Sequence, residues 1–94
     1  MTMALKQPAN TDSAETVGLK ALAFLAADED ELSRFLALSG LDIADIRERA
    51  GDAGFLAAVI DHVLSSDALL TAFCEGEGLI PKDVHLASHK LGGA

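Results

Sequence analysis

Helix start and stop signals recur about every dozen residues in this chain, and no other feature constrains its fold as much. Asp28, Asp42 and Asp52 each precede an apolar-periodic stretch, and Gly40 and Gly51 each follow one. A side-chain oxygen at an N-cap accepts from the free N–H groups of the first turn. A glycine just past the C-terminus takes the left-handed conformation that closes a helix. Punctuation this dense leaves room only for short helices. The expected fold is all-α, a compact array of five to six short helices joined by tight turns, with no sheet. No stretch alternates with period two, and no hairpin dipeptide lies between apolar runs. Helices this short favour wide crossing angles over the long contacts of an up-and-down bundle.

Residues 1–11 are polar, contain Pro8 and read as a disordered lead-in; residues 12–94 read as one helical domain. The first helix opens near Asp12 or Ser13, with Asp12 and Glu15 at capping-box spacing. From Ala21 onward it is apolar on every side, which predicts a central, mostly buried helix. Gly18 offers a place for a close crossing. Asp28 caps the second helix, with Glu31 at N3 and Leu32, Phe35, Leu36 and Leu38 as its stripe. In the third, Asp42 is the cap, Leu41 and Ile46 form a hydrophobic staple, and Ile43, Ile46 and Ala50 face inward.

The fourth helix, capped by Asp52, has the clearest pattern: Phe55, Leu56, Val59, Ile60, Val63 and Leu64 make one broad stripe, with Asp61 and His62 off it. Ser65 or Ser66 caps the fifth, which turns Leu69, Leu70, Phe73 and Cys74 inward and ends at Gly76 and Gly78. Pro81 suits the first turn of a sixth helix. Ile80, Val84, Ala87 and Leu91 share one face of it, and Gly92-Gly93 stops it.

Half of the 94 residues are apolar, but only Phe24, Phe35, Phe55 and Phe73 are aromatic. A domain this small has a thin stability margin, and oligomerisation is a common remedy. The net charge of −8, from 15 acids against 7 bases, opposes unassisted binding to nucleic acid or to anionic membranes. It is compatible with a basic protein partner. Cys74 is the only cysteine, so no disulfide forms within the chain. The first eleven residues lack an apolar leader core, and the longest apolar run, Ala21 to Ala27, is far too short to span a bilayer. The expectation is a cytoplasmic protein outside the membrane.

Several segments together resemble a known family. They are Ala14-Glu15 leading into Gly18-Leu-Lys-Ala-Leu-Ala-Phe-Leu-Ala26, and Arg34-Phe-Leu-Ala-Leu-Ser-Gly-Leu41 with Ile46-Arg47. Phe55-Leu56 with Val59 and Asp61, and Leu69-Leu70 with Phe73, complete the set. Over roughly residues 14–91 the chain is similar to a family of short bacterial proteins classed only as a domain of unknown function. The resemblance implies an all-helical bacterial cytoplasmic protein and carries no activity, cofactor or catalytic residue.

Chemistry-bearing residues are sparse. His85 and His89 lie four apart on the last helix, a spacing that can hold zinc if Cys74 or Asp83 completes the site. Position 86 is Leu, so the H-E-x-x-H motif is absent, and the pair reads more simply as surface histidines. Asp28-Glu29-Asp30-Glu31 reads as a helix start favoured by the dipole rather than as a cation cage. Cys74 reads as a small buried hydrophobe; Glu75 and Glu77 would raise its thiol pKa if they are close.

Leu36 to Ile46 has helix-turn-helix spacing, with Arg47 and Arg49 as the cations available to phosphate. Asp42, Asp45 and Glu48 oppose that use. No nucleophile motif or phosphate-binding glycine loop is present, and so short a chain leaves little room for a pocket of several hundred cubic ångströms. No catalytic, cofactor or metal residue is therefore assigned, and no small-molecule substrate is evident. The expectation is a non-enzymatic module that binds a protein partner or itself, at the second-to-third helix corner or the final helix. The alternatives are a helix-turn-helix DNA-binding regulator and a small metal-binding protein using His85 and His89.

Overall fold

Ser13, Asp28, Asp42, Asp52 and Ser66 each turn a side-chain oxygen onto backbone N–H groups of the turn that follows. Those five caps start five helices of the computed structural model, which describes residues 13–92. The order is α1 (Ala14–Ala26), α2 (Glu29–Ser39), α3 (Ile43–Arg49), α4 (Ala53–Leu64), α5 (Asp67–Glu77) and α6 (Pro81–Leu91). Pro81 occupies the first turn of α6, where its missing N–H costs nothing. Among the described residues there is no strand. The all-α array of short helices expected from the sequence is the observed fold.

Helix ends follow the expected chemistry in two places and depart from it in two. Gly40 (φ 75°) and Gly78 (φ 68°) are left-handed and close α2 and α5. Gly51 is not left-handed; α3 ends on Ala50 in right-handed geometry, and the chain turns with Asp52 N–H donating to the Arg49 carbonyl. Gly76 lies inside α5 rather than ending it. The proposed partnership of Asp12 with Glu15 falls outside the described residues, as does the 1–11 lead-in. Ser13 caps α1, its Oγ accepting from the Thr16 N–H at 3.1 Å.

The central helix is α4, not α1. Phe55, Leu56, Val59, Ile60 and Val63 are all buried, and α1 and α6 pack most closely against them. Val17, Ala21 and Leu25 of α1 and Val84 and Ala87 of α6 complete the middle of the core, with Phe73 and Cys74 from α5. Gly18 sits at the α1–α4 crossing, where a Cβ would come within 2.8 Å of the Leu56 Cβ. The expected close crossing is therefore real. The axis turns by 111° between α4 and α5, as the wide-angle expectation requires.

Three apolar assignments are corrected. The second half of α1 is not buried all round: Ala23 and Ala26 are exposed, and Leu22 and Phe24 only half-buried. Neighbours cover one side of α1, while composition alone says nothing of which side. Leu38 points away from the α2 stripe and is 74% exposed. Ile80, at the N-cap of α6 rather than on its inner face, is also exposed, its extended backbone lying outside the helical rotation that sequence periodicity assumes. From α2, buried Phe35 meets Phe55 of α4 at 6.0 Å and 66°, while Leu36 and, from the α3 segment, Leu41 and Ile46 pack on the same core.

Candidate functional site

The uncovered side of α1 follows helical spacing. Leu19, Leu22, Ala23 and Ala26 recur at three- and four-residue intervals and form one wall of an open groove. Leu32 of α2 and Ile43, Ile46 and Arg47 of α3 form the other walls. The volume is about 320 Å³ and the lining is almost wholly apolar. Leu19 is 46% and Ile43 50% exposed, so neither is a core residue. Leu41 and Ile46, expected as a staple at the α3 start, are both half-buried and packed against the core. Ile43, expected to face inward with them, instead lines the groove.

The groove exists because α3 has only seven residues. A helix that short can close one end of the α1–α2 cleft but cannot roof it. Its orientation is fixed locally: Asp42 accepts from the Asp45 N–H, and Asp45 accepts from the Asp42 N–H, each at 3.0 Å. A chain this short is expected to leave little room for a pocket of this size; the groove forms at the surface, open to solvent.

His62 is a second correction. Sequence spacing puts it off the α4 stripe, yet it is buried, at 9% exposure. Its ring stands edge-on to Phe35 at 5.4 Å, and Nε2 lies 3.5 Å from Glu31 Oε1. Neither atom has a hydrogen-bond partner. A separation of 3.5 Å is too long for a good charge-assisted hydrogen bond. Glu31 thus does not reach back to complete a capping box with Asp28; it crosses to α4. The Asp28 carboxylate still caps α2, accepting from the Asp30 N–H at 3.1 Å and the Glu31 N–H at 3.3 Å.

The remaining candidates stay apart. His85 and His89 are exposed on α6, and among the described residues no group of three or more His, Cys, Asp or Glu is placed to hold a metal ion. Cys74 is buried, and burial raises its thiol pKa, with the Asp83 carboxylate adding to the effect. Asp83, rather than Glu75 or Glu77, is the acid whose charge acts on it. A thiol held protonated in apolar surroundings is a poor nucleophile. Asp83 also accepts from the Ile80 N–H at 3.1 Å, which fixes the start of α6.

Arg47, between Asp45 and Glu48, lines the groove, and Arg49 is exposed at the end of the short α3. One tertiary hydrogen bond had no sequence signal: Ser88 Oγ donates to Asp61 Oδ1 at 2.6 Å, joining α6 to α4. No single helix among the described residues is long and apolar enough to cross a membrane.

No curated protein and no solved structure matches the chain. A family model described as "Protein of unknown function (DUF3572)" matches residues 11–94 and so spans the whole described fold. The match agrees with the resemblance read from the core leucines and phenylalanines. The chain belongs to the DUF3572 family.

Proposed function

We propose that this chain is a non-enzymatic interaction module that engages another protein through the groove between α1, α2 and α3. The observation that carries the reading is the groove itself. It gathers apolar side chains from three helices and leaves Leu19 and Ile43 about half exposed, although the same chain buries comparable side chains fully at α4. Apolar side chains gathered from three helices into one open groove form a concave seat for a partner's apolar side chains. The absence of a converging set of polar or titratable groups in the lining favours contact over catalysis.

The test is site-specific photo-cross-linking in the cells that make the protein, with a photoreactive residue at position 43, at position 19, or at the exposed Ala58 of α4 as control. Adducts at 43 and 19 and none at 58 are expected. Equal labelling at all three positions, or none at 43 and 19, would remove the groove as the contact surface.

A further inference from the structure

We propose that the occupant of this groove is a short amphipathic helix with basic flanks; the inference rests on the reading of the groove as a contact surface. The shape argues for a helix. The α1 wall from Leu19 to Ala26 is two turns long, about 10 Å at 1.5 Å per residue. A groove of about 320 Å³ takes several aliphatic side chains from a ligand helix, not a flat face. An incoming helix presents anchors at i, i+3 or i+4, and i+7 over that same length.

The charge argues for basic flanks. Glu15 lies one turn before Leu19 on α1, Glu29 one turn before Leu32 on α2, and Asp42 immediately before Ile43. All three are exposed, and each continues an element that forms a wall. Arg47 is the one charged side chain in the lining itself, so the attraction for basic flanks comes from the acids on the flanking turns and not from the groove floor. The chain as a whole carries −8. A second copy would bring an equal negative charge onto these acids, and a nucleic acid or anionic membrane would be repelled in the same way. A lysine- or arginine-flanked helix is attracted.

The experiment uses three labelled peptides of about fourteen residues, four helical turns. The first has leucines at the anchor positions and lysines on the flanks. The second has glutamates on the flanks instead. The third keeps the lysines and replaces the leucines with alanine. Binding to the full chain is read by fluorescence anisotropy at moderate salt. The leucine–lysine peptide is expected to bind about tenfold or more tightly than either of the others. Ile43→Asp should weaken it by at least about tenfold, although the added negative charge would strengthen a purely electrostatic contact. Ile43 is half exposed, so the variant should fold; circular dichroism checks this, and Leu19→Asp serves as a second variant.

Equal binding of the lysine and glutamate peptides would overturn the basic occupant while the groove reading stands. Binding that persists in both variants, or that needs no leucines, would overturn the proposal as diffuse charge attraction. Failure of all three peptides to bind would overturn the helical occupant, and the cross-linking at positions 43 and 19 then decides the groove reading separately. A dimer that Ile43→Asp splits would assign the groove to a second copy. A gain in peptide affinity on deleting residues 1–12 would assign it to the chain's own start. Either result would overturn the proposal.

Discussion

Phe55→Ala should lower the unfolding free energy by about 3–5 kcal/mol. Phe55 is 5% exposed and stands in the first turn of α4, the helix that every large part of the core touches. Its truncation removes the transfer energy of the ring and leaves a cavity that short, capped helices cannot collapse to fill. It also removes the edge contact with Phe35, worth about 0.5–1.5 kcal/mol beyond burial. That contact is one of those by which α2 meets α4. Domains of this size have only about 5–15 kcal/mol in total, so the variant should lose a large share. Urea denaturation followed by far-UV circular dichroism measures it. A loss below about 1 kcal/mol would mean that the ring faces solvent, contrary to the fold described.

The second large effect is at Gly18. Gly18→Val should cost about 1–3 kcal/mol or more, since a side chain there meets a wall that cannot move. A Cβ would lie 2.8 Å from the Leu56 Cβ and 3.3 Å from both Leu56 Cγ and Leu91 Cδ1. Leu56 is fully buried, and its Cβ is tied directly to the α4 backbone, so relief requires α1 and α4 to separate. Gly76 provides the matched control. It is also helical, but a Cβ there meets nothing within 4 Å. Gly76→Ala should therefore gain up to about 0.5–1 kcal/mol from reduced backbone entropy in the unfolded chain. The two substitutions should have opposite signs in the same thermal-melt experiment. Shifts of the same sign would contradict the close crossing.

The fold was legible because most of its determinants are local. Asp28, Asp42 and Asp52 act within three residues of themselves, and the Phe55–Val63 stripe needs only the helical period. Gly40 and Gly78 follow for the same reason, since a left-handed closing residue is a local requirement. What was misread depends on which neighbour stands opposite. His62 is buried because Phe35 and Glu31 come from another helix, and no spacing within α4 reports that. Leu38 and Leu36 have the same local character, yet one is exposed and the other packs on the core.

The groove was half legible. The corner between the second and third helices was expected as a contact edge, and the all-round apolar character of α1 held a clue to its other wall. Uniform apolarity was read as burial, whereas here it supplies both a core face and an open one. A signal that could have separated the two is length: α3 has seven residues against thirteen in α1, too few to cover the side of α1 that α4 leaves free.

Native mass spectrometry of the untagged chain, isolated gently from the cells that make it and run beside Ile43→Asp, tests whether the groove side chains hold the proposed protein partner. A partner mass is expected on the wild-type chain and a bare 9.7 kDa monomer for the variant. A bare monomer for the wild type, or a complex that survives the substitution unchanged, would contradict that expectation.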